Sequence, residues 1–121
     1  LRCANVFHAG DGNLHPLIMY DANVPGQLDL ATAFGGEILE LSVELGGSIT
    51  GEHGVGIEKI VQMCAQFSPA ELEIFHALKR AFDSDGLFNP DKAIPTAARC
   101  REYRLIRDSA GGADHSAPGG A

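Results

Sequence analysis

The sequence predicts an α+β domain: one antiparallel hairpin over residues 2–20, then three main helices over 27–46, 57–66 and 69–83. Three observations carry that expectation. Two apolar runs flank Asp11-Gly12, the kind of pair that gives the strongest short-range hairpin signal. Ala31, Phe34, Ile38, Leu41 and Leu45 recur at spacings of three and four, the period of an amphipathic helix. Ser68-Pro69-Ala70-Glu71 is a capping box with proline at the first helical position, so a helix starts there.

Composition narrows the possibilities. A chain of 121 residues is long enough for one domain with a core and too short for two. Its 45% hydrophobic content and mean hydropathy of −0.01 fit a soluble globular protein. A net charge of −7, with no basic cluster, argues against nucleic acid or an anionic membrane as partner. No apolar run approaches the roughly 20 residues of a membrane span. The opening Leu1-Arg2-Cys3-Ala4-Asn5-Val6-Phe7 reads as the middle of a strand, so the chain is expected to be a fragment without a signal peptide. Cys3, Cys64 and Cys100 are odd in number and lack C-x-x-C spacing, and they read as reduced cytosolic thiols.

In the hairpin, Ala4, Val6 and His8 share a face with His15, Leu17 and Met19. The other face carries Cys3, Asn5 and Phe7 beside Leu14, Pro16, Ile18 and Tyr20. If Asp11-Gly12 is a two-residue type I′ turn, His8 lies directly opposite His15, with Cβ atoms about 5 Å apart. Both faces are largely apolar and require a cover of helices or of a second domain. Pro16 cannot donate to a ladder and belongs at an edge.

Asp21 to Gly26 reads as a loop. The first helix follows, with Glu37, Glu40 and Glu44 on a solvated face and Gly46-Gly47 suited to its C-terminal cap. Gly35-Gly36 inside that helix costs about 1 kcal/mol per residue against alanine, which implies a close packing contact there. Residues 47–56 hold four glycines among ten and read as an irregular ligand-facing loop. The capped helix is expected to bury Leu72, Phe75, Leu78 and Phe82. Leu87 to Pro95 runs extended, a short helix near 97–104 follows, and the Ser/Ala/Gly/Pro tail is expected to be disordered from about residue 107.

The chemistry gathers in two glycine-rich stretches, His8-Ala9-Gly10-Asp11-Gly12-Asn13-Leu14-His15 and Gly47-Ser48-Ile49-Thr50-Gly51-Glu52-His53-Gly54-Val55-Gly56. Two imidazoles on one hairpin face, with a carboxylate from a second loop, suit zinc, iron or manganese. A set of His8, His15 and Glu52 leaves coordination positions open, as a catalytic ion requires. His53 is either a further ligand or a general base. The base is favoured, because neighbouring side chains in an extended loop point apart and imidazole exchanges protons near neutral pH. Asp11 reads as a turn residue, His76 as a packing or surface histidine and His115 as a tail residue without a role.

These stretches, together with Leu87-Phe88-Asn89-Pro90-Asp91-Lys92 and Ile94-Pro95, resemble three motifs of the carboxy-terminal domain of FAD-linked oxidases, and most of all its glycolate-oxidising members. The likeness extends to about Tyr103. It implies that residues 1–106 form the ferredoxin-like cap and substrate domain of a vanillyl-alcohol oxidase type flavoenzyme whose FAD-binding domain lies elsewhere, with 107–121 as tail. It further implies a divalent metal, usually zinc, on His8, His15 and Glu52, with His53 as catalytic base and Asn89 near the flavin. Asp91 stands where the family has glycine. Leu17 replaces a substrate-contacting asparagine, which implies a small 2-hydroxy acid such as glycolate or D-lactate.

The implied partners are an iron-sulfur subunit and a second flavoprotein-like subunit, in the cytoplasm or peripheral to the inner membrane. Alone, the fragment is expected to be inactive and to self-associate through its apolar surface. Other D-2-hydroxyacid dehydrogenases, a stand-alone zinc hydrolase on the same residues, and a non-catalytic ferredoxin-like association module remain as alternative readings.

Overall fold

The structure, a computed structural model, describes residues 1–111. Strand β1 (Arg2–His8) and strand β2 (Asn13–Met19) form a two-stranded antiparallel sheet. Helices α1 (Gln27–Glu44), α2 (Met63–Gln66), α3 (Pro69–Phe82) and α4 (Ala97–Gly111) follow. The architecture is the expected α+β. No helix among the described residues is long and apolar enough to cross a membrane.

The hairpin register differs from the tight-turn expectation by two residues. Ala9–Asp11 forms a 3₁₀ turn, Gly12 takes the left-handed conformation at φ 68°, and its amide donates to the Ala9 carbonyl at 3.4 Å. His8 therefore faces Asn13, and His15 faces Val6. Side chains alternate with a period of two, so the shift leaves both histidines on the predicted face.

The opposite face meets α1. An added Cβ on Gly35 would lie 3.5 Å from Ile18 Cδ1, and one on Gly36 would lie 2.9 Å from Gln62 Nε2. This is the close contact that the glycine pair implied. Helix α1 ends with Gly46 at φ 86° and with the Gly47 amide on the Ser42 carbonyl at 2.7 Å. Its glutamates are not all solvated as expected: Glu40 accepts from the Tyr103 hydroxyl at 2.6 Å and lies 3.4 Å from Arg107.

The core is small. Ile49, Met63, Cys64, Leu72 and Cys100 are buried together, with Leu39, Val43, Val55, Phe67, Phe75 and Tyr103 packed around them. Phe67 and Phe75 meet edge to face at 5.0 Å between centroids, a favoured aromatic geometry. Of the four α3 residues expected inside, Leu72 is buried and Phe75 partly so, whereas Leu78 and Phe82 are exposed. Those two form the outer end of the apolar stripe, and no other element among the described residues covers it.

Three further expectations need correction. The helix predicted over 57–66 is formed only at its end. Residues before Met63 make turns, with Gln62 bonded to Lys59 and Cys64 to Val61 across three residues. The β-branched Ile57, Ile60 and Val61 favour helix weakly, and Ile60 is buried rather than set on a helix face.

Cys64 and Cys100 are not free thiols but a disulfide joining α2 to α4; only Cys3 is free. Counting cysteines could not reveal this, because the pair is made by packing of segments 36 residues apart. Helix α4 also extends to Gly111, past the expected start of the tail. The rest of the tail, with His115, lies outside the described residues.

Candidate functional site

The hairpin turn and the loop after α1 meet at one place. Glu52 Oε1 lies 3.0 Å from His8 Nε2 and 3.3 Å from His15 Nε2. One donor atom from each of these residues falls within 4.8 Å of the others. The two imidazole rings stand edge to face at 5.3 Å, on adjacent diagonal positions of the sheet face rather than directly opposite.

His53 approaches the other side of the carboxylate, with Nε2 3.6 Å from Glu52 Oε2, and is the most exposed of the group at 80%. It stands outside the cluster of converging donor atoms. Asp11 sits in the 3₁₀ turn and also stays out of the cluster.

The loop is held in place from both ends. Ile49 is buried in the core, and its amide donates to Gln66 Oε1 at 2.9 Å. Thr50 Oγ1 donates to the Gly54 carbonyl at 3.2 Å, and Gly54 and Gly56 have φ of 75° and 56°, a region that favours glycine. Asn13, to which the sequence analysis gave no role, joins the two motifs: its Nδ2 donates to Glu52 Oε1 at 2.5 Å. Gly51 makes this possible. A Cβ there would lie 2.7 Å from Asn13 Cγ. The only sequence signal for Asn13 was its place between the turn and the second histidine.

Two imidazole nitrogens and one carboxylate oxygen form a donor set with the chemistry of a divalent-ion site. At 30% to 59% exposure, the three side chains are open to solvent. Asn89 lies elsewhere in sequence, in an exposed segment with φ 44°. That segment bonds to the same loop, with the Ala93 amide donating to the Gly56 carbonyl at 2.8 Å. Asp91 occupies the left-handed region at φ 59° despite having a side chain. His76 is a packing histidine, with Nε2 3.0 Å from the Pro95 carbonyl. A cavity of about 280 Å³ between α3 and α4, lined in part by Leu72, His76, Pro95 and Arg101, shares no residue with the histidine cluster.

The family described as "FAD linked oxidases, C-terminal domain" matches residues 1–93. The chain belongs to the FAD-linked oxidases. This FAD-linked oxidase domain is 66% identical over 103 residues to the glycolate oxidase subunit GlcD of Escherichia coli strain K12, covering 85% of this chain and 21% of that protein. It is 40% identical over 94 residues to the GlcD of Bacillus subtilis, covering 78% and 20%. Against the mitochondrial D-lactate dehydrogenase [cytochrome] of Arabidopsis thaliana it is 33% identical over 95 residues, covering 78% and 17%. The FAD-linked oxidase chain thus spans about a fifth of the length of the curated relatives it matches. No solved structure matches it.

Proposed function

We propose that this chain is the carboxy-terminal substrate domain of a longer flavin-dependent 2-hydroxy-acid dehydrogenase, oxidising glycolate or D-lactate to the 2-oxo acid. The observation that carries this reading is the convergence of His8, His15 and Glu52 beside His53 in an FAD-linked oxidase domain whose relatives include glycolate oxidase and D-lactate dehydrogenase subunits or enzymes.

In this reading His8, His15 and Glu52 hold a divalent ion, zinc by preference. When bound, such an ion supplies Lewis acidity that lowers the pKa of a substrate hydroxyl. FAD, held mainly by a separate domain, supplies the two-electron acceptor. The work of this chain is positional. Asn13 fixes the Glu52 carboxylate, the two imidazoles define the face on which the substrate sits, and His53 Nε2 takes the hydroxyl proton. Asn89 faces the flavin. The exposed Leu87 and Phe88 just before it set two apolar side chains next to its amide, a fit for the edge of a flat heteroaromatic ring.

Two relatives are named as subunits, which supports a multi-subunit assembly. An iron-sulfur subunit takes the electrons, with a second flavoprotein-like subunit beside it, in the cytoplasm or at the inner membrane. The exposed Val6, Phe7, Leu14 and Leu17 of the hairpin pack against the flavin-binding domain, and the chain made alone self-associates.

The test is anaerobic addition of glycolate or D-lactate to a full-length flavoprotein carrying this domain. Flavin absorbance is expected to bleach, and His53→Ala to slow bleaching by about 10²-fold or more. No bleaching with any short 2-hydroxy acid would end this reading.

A further inference from the structure

Asp83 is the one charged side chain buried among the described residues, and it lies outside the histidine cluster. It caps the C-terminus of α3, and its carboxylate is fully used. Oδ1 accepts the Leu87 amide at 2.8 Å; Oδ2 accepts the Phe88 amide at 2.9 Å and the Lys79 ammonium. Lys79 Nζ also donates to the Phe88 carbonyl at 2.6 Å. Two side chains one helical turn apart therefore hold three backbone groups of the two residues before Asn89. The Lys79 hydrogen bond, aided by the two amides, keeps the Asp83 carboxyl below its ordinary range, so the carboxylate is the form in place.

The backbone beyond the clamp is unusual. Asn89, Asp91 and Ala93 all have positive φ, at 44°, 59° and 63°. Asn and Asp tolerate this conformation because their side chains bond locally, whereas alanine has no such compensation. Such a run persists only where its surroundings over-determine it. Here the clamp fixes one end, and the bond from the Ala93 amide to Gly56 fixes the other. Gly56 closes the loop that carries Glu52 and His53.

We propose that Lys79 and Asp83 are positioning residues: they fix the backbone leading into Asn89 and, through Ala93 and Gly56, hold that segment against the Glu52-His53 loop. The inference rests on the reading of Asn89 as the flavin-facing residue. Small misplacements of a reacting group are costly, about 10²-fold in rate for 1 Å.

The experiment uses the full-length flavoprotein with Lys79→Met, Lys79→Arg and Asp83→Ala. Hydrogen exchange is followed at the Leu87, Phe88 and Ala93 amides. The oxidised flavin spectrum, the single-turnover rate of flavin reduction and KM are recorded beside it. Lys79→Met is expected to speed exchange at these amides, shift the flavin band and slow reduction about tenfold, with KM changed less than about twofold. Lys79→Arg should restore most of the rate.

Unchanged exchange, or faster exchange with an unaltered flavin band and reduction rate, overturns the proposal. If no 2-hydroxy acid reduces the wild-type flavin, the substrate reading falls, while exchange and the oxidised spectrum still decide this one. Should Asp83→Ala fail to fold, Lys79→Met carries the test, because that side chain is one-third exposed.

Discussion

Asn13 Nδ2 donates to Glu52 Oε1 at 2.5 Å, a bond across 39 residues that ties the hairpin to the glycine-rich loop. It leaves the carboxylate aimed at both imidazoles, His8 at 3.0 Å and His15 at 3.3 Å. Asn13→Ala removes the side-chain amide donor on that oxygen. Partners of this kind orient ligands, and their loss costs about 10- to 100-fold in metal affinity. For the proposed ion site, zinc titration by calorimetry should show that loss with little change in melting temperature. Equal affinities would mean that Asn13 does not orient the site.

Gly51→Ala tests the same contact from the other side. The added methyl lies on the Asn13 side chain, 2.7 Å from Cγ, so Asn13 must swing away from Glu52. Its backbone lies outside the left-handed region, and alanine there gains about 0.5 kcal/mol from a less flexible unfolded chain, enough to offset the displacement of one half-buried amide. The expected outcome is unchanged stability by denaturant titration together with weakened zinc binding. A variant that unfolds would show that the loop, not the Asn13 contact, is what glycine protects.

Ser68→Ala should destabilise the fold by about 1 kcal/mol at neutral pH through loss of the α3 cap. The Ser68 hydroxyl, and then its amide, hold the Glu71 carboxyl below its ordinary value. A lowered carboxyl pKa contributes stability above the unfolded value of about 4.3 and loses it as pH falls through the folded one. The gap between wild type and variant should therefore narrow below about pH 4. A gap that is constant with pH would show that Glu71 takes no part in the cap.

The Cys64–Cys100 bond closes a loop between residues 36 apart. In the chain-entropy account, a loop of that size stabilises by about 4 kcal/mol. Denaturation with and without reductant should show the difference, and Cys100→Ala should be somewhat less stable than the reduced protein. Since both sulfurs are buried in the core, Cys100→Ala also leaves a small void. No difference on reduction would mean that the core alone carries this end of the domain.

The local signals were the ones most legible in the sequence. The capping box at Ser68 and Glu71, the α1 stripe, the close approach at Gly35-Gly36 and the face shared by His8 and His15 all depend on periods of a few residues, and all appear in the structure. The exact register did not, because a turn of Ala9 to Gly12 and a tighter Asp11-Gly12 turn differ by two residues, which keeps the face and changes the pairing. The disulfide, the Tyr103–Glu40 bond and the Asn13–Glu52 bond join residues 36 to 63 apart, and no pattern of neighbours announces such pairs. The turns at Ile57 to Gln62 were misread because apolar spacing alone cannot separate a helix from a buried turn.

The disulfide also sets how this domain behaves when its chain is cut. The segment from Ser84 to Ala93 is exposed, and it contains the three left-handed residues other than glycine between α3 and α4. Protease cleavage there falls inside the loop closed by Cys64 and Cys100, so the two pieces stay covalently joined. The nicked domain should run as a single species on a non-reducing gel and separate into two once thiol is added.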